Sequence, residues 1–340
     1  MTRAATWALS VGVLLFIGLL VSQGLPAVVA TLALAGWGLL LVALFHLLPL
    51  ALDAWAIHVL TARAAARGSV GGPLRVPGEP LRALSDALLA RWVGESANSL
   101  MPAGQLGGPV LMTRHLAQRG MRMQDAAAVI TVSTTLQTFA QIAFALLGVV
   151  LLGAQAGHIS QHALRTSALI ASGLLALQVG GFYWIQRRGL FSRLMRAATR
   201  FAGKRDWSQW MNQAQAIDLA VQDIYTRGGP VAASFLLSLV GWLVGTGEVY
   251  LILQLIHRPV GWLDALLLES LGQAIRGAAF AIPGALGVQE GGYLLLAPLA
   301  GLPPDAALAL SLAKRARELL LGVPGLLYLH LSSRAAGAAV

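Results

Sequence analysis

The stretch with the most chemistry in it is Lys314-Arg315-Ala-Arg317-Glu318, which interrupts the apolar segment Ala306–Leu329. A charge at the centre of a membrane helix costs about 2.5–3.5 kcal/mol on insertion scales, so such residues mark binding or pairing. Lys314 and Glu318 are four apart and share a helix face. That leaves Arg315 and Arg317 without a local acid. They read either as partners of distant acids such as Glu248, Glu269 or Glu290, or as a cationic floor for an anionic headgroup. Arginine suits the second role because its fork matches phosphate in two places. Arg276 lies seven residues before Pro283, and Glu95 lies seven before Pro102. Opposite charges at equivalent positions predict a latch between Glu95 and Arg276, with Asn98 beside it. Separate solvation in a cavity is the alternative.

Both prolines open helix breaks. The first reads Pro102-Ala-Gly104-Gln105-Leu-Gly107-Gly108, and the second Pro283-Gly284-Ala-Leu286-Gly287. A broken helix at membrane depth leaves backbone groups unpaired, which is tolerated only inside protein or beside a watery cavity. The restarting helices near Gln105 and Leu286 would aim free N–H groups at a phosphate or carboxylate. Gln105, Asn98, Gln289 and Glu290 adjoin the breaks. They either line that cavity or satisfy loose backbone. The expected headgroup site is therefore Arg276, Lys314, Arg315, Arg317, Glu318, Gln105, Gly107, Gly108, Gln289 and Glu290.

Other chemistries are poorly served. There is no cysteine, so thiolate catalysis and thiolate metal sites are excluded. The acids are scattered singly, which argues against a two-metal or general-base centre. His158 and His162 have i,i+4 spacing but no neighbouring carboxylate. No metal, no cofactor and no catalytic residue is expected. Asp53 and His58 read as interfacial.

The elements that position these residues are helices in a bilayer. Residues of the AVILMFWYC set make up 57% of 340 positions and charged residues 11%, where a soluble protein carries about a quarter charged. Six blocks approach the roughly 20 residues that a span needs: Trp7–Gly24, Ala27–Leu48, Ala126–Gly153, Ser167–Ile185, Val231–Ile256 and Ala306–Leu329. The first is read as an uncleaved anchor. Leu81–Met101 and Trp262–Ile282 are of similar length but end in the breaks, followed by Gln105–Gly120 and Ala285–Ala300. Treating both as re-entrant hairpins, with the N-terminus inside, places 18 basic residues on the cytoplasmic side and Arg165 and Arg258 outside. The count includes the 61–91 loop. If Leu81–Met101 crossed, the seven-charge run of 187–205 would move outside, against the positive-inside rule.

The predicted fold is an all-α polytopic integral membrane protein, one domain over 1–340, with six full spans plus two re-entrant helical hairpins in an inverted-topology repeat. Repeat one covers about 81–153 and repeat two about 262–333. In each, an aspartate opens the next span eighteen residues after a glycine of the break, Asp125 after Gly107 and Asp305 after Gly287. Residues 187–228 form a basic cytoplasmic loop with an amphipathic interfacial helix anchored by Trp207 and Trp210. The net charge of +10 reads as topology and attraction to anionic headgroups, with no nucleic-acid partner.

Arg91-Trp-Val-Gly-Glu-Ser-Ala-Asn-Ser-Leu-Met-Pro102 with Gly107-Gly108, and Pro283-Gly-Ala-Leu-Gly-Val-Gln-Glu290-Gly-Gly, resemble the two signatures of the lysylphosphatidylglycerol synthase transmembrane-region family. The continuation Ala309–Gly325 looks most like its hopanoid-biosynthesis-associated branch. The resemblance covers about 80–330 and implies a flippase-like protein that moves lipids between leaflets. It does not carry over the soluble aminoacyltransferase activity of the bifunctional members. Free-standing members often have an acidic residue after the first break, where this chain has Gly108-Pro109.

The expected function is a lipid translocase, not an enzyme, for an anionic phospholipid or hopanoid-type lipid in the bacterial inner membrane, with both termini cytoplasmic. The alternatives are an accessory or scaffold subunit of a lipid-synthesis or export complex, whose proteins would be its partners, and a membrane-embedded headgroup enzyme.

Overall fold

The computed structural model describes residues 25–61, 80–101, 107–154, 180–201, 207–279 and 282–337, with isolated positions between 166 and 177. All regular elements among them are helical. Helix α1 (Leu25–Ala33) ends in a turn where Gly36 takes φ 45°, a left-handed value open to glycine. The membrane-length helix is then α2 (Gly38–Thr61), 24 residues and about 36 Å at 1.5 Å per residue. The expected span Ala27–Leu48 is corrected accordingly. Apolar sequence runs on across the turn, so hydropathy alone could not place it.

Next come α3 (Pro80–Leu100), α4 (Gly107–Gln118), α5 (Met123–Ala154), α6 (Leu190–Phe201), α7 (Ser208–Tyr225) and α8 (Gly228–Leu255). The chain closes with α9 (Trp262–Ala278), a one-turn 3-10 helix at Pro283–Ala285, α10 (Val288–Leu296) and α11 (Pro304–Gly337). Among the described residues three helices, α2, α5 and α8, are long and apolar enough to cross a membrane. Of the six expected spans, Trp7–Gly24 and most of Ser167–Ile185 lie outside the described residues. Ala306–Leu329 falls in α11, whose Lys314, Arg315, Arg317 and Glu318 set it apart from those three. Outward faces of α2 and α8 present bare leucine and valine, including Leu44, Leu48, Leu236 and Val240, as a lipid-facing surface does.

The interior holds two apolar cores at opposite ends of these spans. One joins Val42 of α2, Val149 and Leu152 of α5 and Ile252 and Ile256 at the end of α8 to α9, α10 and α11. The other joins Ile57 and Leu60 of α2, Val129–Leu136 of α5 and Val221 of α7 to α3 and α4. Between the two cores lie the middle turns of α2, α5 and α8. Both arms of the first break, α3 and α4, belong to the second core, and both arms of the second break, α9 and α10, to the first.

The order helix, break, helix, long helix occurs twice, as α3–α4–α5 and α9–α10–α11. Each long helix packs on the first helix of the other set. The approach is close through small residues, as is common between membrane helices. A Cβ on Gly148 of α5 would stand 2.9 Å from the Ser270 Cβ, and one on Gly325 of α11 3.0 Å from the Ser96 Cβ. Helix α7 buries Ala214, Val221 and Ile224 on the side packed against α5 and leaves Trp210 exposed. Its Asp218 accepts the Phe191 and Ser192 N–H groups and caps α6.

Candidate functional site

A cavity of about 200 Å³ occupies the gap between the two cores. Its border draws on the middle of each span: His46, Pro49 and Asp53 of α2, Gln137 and Gln141 of α5, Gly245 and Glu248 of α8. Ser99 of α3 and Pro109 of α4, on either side of residues 102–106, also border it, as do Ile282, Gly284 and Ala285 of the second break. Gly284 takes φ 59°, and a Cβ there would lie 3.2 Å from the Ser99 carbonyl oxygen. The second break therefore rests on the end of α3.

The charges around this cavity are paired in three neighbouring clusters. Arg317 binds Glu95 at 3.1 Å and Glu248 at 3.2 Å, and both acids also hold His46 at 2.7 Å. Lys314, almost fully enclosed, binds Glu269 at 2.5 Å, and Glu269 further accepts from Gln273 and Tyr293. Arg276 binds Glu318 at 2.6 Å and donates to Gln289. Arg91 binds Asp53 at 2.8 Å, a carboxylate that also accepts from Gln137. Buried charge is tolerable only when paired and hydrogen-bonded in this way.

Arg276, Lys314, Arg317, Glu95, Asn98 and Gly284 of the expected site border the cavity. Arg315, Glu318, Gln289 and Glu290 stand behind it. Arg315 donates to the Gly284 carbonyl and binds Glu290 and Glu318, so it fastens the second break. Glu290 accepts the Gly287 N–H and caps α10, while the Asn98 side-chain Oδ1 accepts the Gly108 N–H at the start of α4. At each of these two helix starts one N–H group, Gly108 or Gly287, is taken by a side-chain cap rather than left for a ligand, as burial demands a partner. Gly108 packs against Gly94, away from the cavity border. Pro102, Gly104 and Gln105 lie outside the described residues, as do His158 and His162.

The expected latch is corrected too. Glu95 pairs with His46 and Arg317, while Arg276 pairs with Glu318, a closer acid on the neighbouring helix. Asp53 is not interfacial, because α2 continues past it and holds it against Arg91. Arg91, counted with the 61–91 loop, sits in mid-helix. Sequence reasoning missed His46, Arg91, Gln137 and Gln273 as site residues. Their signal was polarity at heptad and i,i+4 intervals on one face, as in His46–Asp53, Gln137–Gln141 and Glu269–Gln273.

A charged chamber between apolar cores, bordered by the helices flanking the first break and by the second break, accompanies a match of residues 6–325 to the family described as the lysylphosphatidylglycerol synthase TM region. The chain belongs to that family. It is a multi-pass membrane protein of a family involved in lipid handling. No curated protein and no solved structure matches it.

Proposed function

We propose that this member of the lysylphosphatidylglycerol synthase TM family is a lipid translocase of the bacterial inner membrane, with both termini cytoplasmic. Its two hairpins are re-entrant from opposite faces and form an inverted repeat, with the cargo headgroup held where their breaks meet. The observation that carries the reading is the position of the polar chamber, half-way along three apolar spans. Transporters place their cargo sites near the midplane beside discontinuous helices for the same reason: only there can freed backbone face a cavity.

The headgroup enters by exchange, since every cation at the border already has a carboxylate. Glu95, whose side chain is 24% exposed, is the replaceable partner of Arg317, whereas Glu248 at 3% is fixed. A phosphate takes the place of Glu95 on the guanidinium, where two oxygens meet two N–H groups. Lys314 and Arg276 flank that position. The acyl or polycyclic part stays in the bilayer. An anionic phospholipid meets these requirements, and the likeness of Ala309–Gly325 to the hopanoid-associated branch adds a hopanoid-type lipid as the second cargo to test.

Gly245 supplies the experiment. It borders the cavity, and a Cβ there meets nothing within 4 Å. Gly245→Trp fills the chamber without disturbing the helix. In proteoliposomes carrying labelled phosphatidylglycerol or a labelled hopanoid, wild-type protein is expected to move tracer between leaflets. The variant is expected to melt like wild type and fall to the protein-free rate. Undiminished movement in the variant would remove the cavity from the transport path.

A further inference from the structure

The His46 imidazole has a carboxylate oxygen at each nitrogen, Glu95 at 2.7 Å from Nε2 and Glu248 at 2.7 Å from Nδ1. Carboxylates only accept, and a neutral imidazole carries a single N–H. With both acids ionised, both contacts are hydrogen bonds only when the ring holds its second proton. Charge agrees with geometry: two carboxylates against Arg317 leave one negative charge, which the imidazolium cancels. Arg317 keeps its proton at all pH values of interest, and its Nη1 lies 3.1 Å from His46 Nε2.

We propose that His46 is a proton-binding site of transport, and that a phosphate-headed lipid and a proton move through the cavity together. This rests on the translocase reading. The coupling follows from Arg317 serving the same two acids as His46. When a phosphate takes the place of Glu95 on Arg317, Glu95 is left to the imidazolium and the more distant Arg91, and the arriving anion lies beside the ring. Both effects strengthen proton binding at His46. By linkage, the proton strengthens headgroup binding equally. The proton comes from water in the cavity by way of Glu95, the more exposed partner. A hydronium ion gives it to a Glu95 oxygen, and the carboxyl O–H then breaks as the N–H forms at His46 Nε2, leaving Glu95 ionised; it leaves to water by the reverse transfers when the cavity faces the other side.

Other groups around the ring do not duplicate this role. From α3 come Glu95 and, behind it, Arg91 at 3.9 Å from Glu95, which itself binds Asp53 of α2. From α8 comes Glu248, and from α11 Arg317 and Lys314, the latter held by Glu269 of α9. Helix α5 offers the non-titrating Gln137.

The test uses purified full-length protein in vesicles of phosphatidylethanolamine and phosphatidylglycerol with labelled phosphatidylglycerol. At equal pH on both sides, tracer movement tests translocation itself. With an imposed pH difference, tracer is expected to accumulate on the side protons flow towards, up to about tenfold per pH unit for one proton per lipid. His46→Gln is expected to lose that accumulation. Tracer that moves but ignores the gradient overturns the coupling and leaves the translocase intact, whereas no movement at any gradient overturns both. A second readout is nitrogen NMR of labelled histidine, assigned through the same variant. It is expected to show His46 protonated at both nitrogens at pH 7, and a single neutral tautomer would sink the proposal without reference to transport.

Discussion

Helices α5 and α11 hold the same place in the two halves of the chain, and their middles have opposite chemistry. Each begins with an aspartate in its first turn, Asp125 and Asp305. Nine to thirteen residues on, α5 carries Thr134, Thr135, Gln137 and Thr138, while α11 carries Lys314, Arg315, Arg317 and Glu318. The threonine hydroxyls of α5 turn back onto carbonyls of their own helix, as Thr134 does to Ile130. The charges of α11 reach across to acids on α3, α8, α9 and α10. Helix α5 can therefore stand in a membrane by itself, whereas α11 is tolerable only once its partners surround it. One half serves as frame and the other as an assembled polar site.

Removing a charge from α11 breaks this contrast most severely. Arg317→Ala leaves Glu248 enclosed beside His46 alone, and losing one partner of a buried pair costs about 3–5 kcal/mol. Thermal unfolding in detergent is expected to fall steeply, with Arg317→Lys recovering part of the loss through its remaining charge. An unchanged midpoint for Arg317→Ala would mean that the network does not hold α11 in place. Gln137→Leu at the matching position of α5 is the next largest change. It removes the donor to Asp53 and an acceptor from Arg91, a cost of about 1–3 kcal/mol for a buried polar group left wanting. The Arg91–Asp53 ion pair survives, so the protein is expected to fold with a modestly lower midpoint.

The same asymmetry explains what could be read from the sequence. Apolar length announced α5 and α8, and the charges of α11 were visible because nothing in their surroundings matched them. Their acids were named as alternatives, yet which acid meets which cation depends on how α3, α8, α9 and α10 converge, and no local pattern records that. His46 was missed for a related reason. Its heptad spacing to Asp53 marks a polar face but names no partner, and its role appears only when Glu95 and Glu248 arrive from 49 and 202 residues away. The turn at 34–37 was hidden because both sides of it are equally apolar.

The smallest expected effect comes from Thr138, the α5 counterpart of Glu318. Its hydroxyl binds the Thr134 carbonyl, an oxygen already within reach of the helix's own N–H ladder. Such back-bonding adds little to a helix and slightly bends it. Valine has the same branched shape, so Thr138→Val is expected to shift unfolding by no more than about 0.5 kcal/mol. Glu318→Gln, by contrast, weakens two arginine pairs at once, with Arg276 and with Arg315. Measured side by side, the two substitutions ask whether matched positions in the two halves differ in kind. Equal shifts would mean that α11 is as self-sufficient as α5, and the division into frame and assembled site would have no energetic basis.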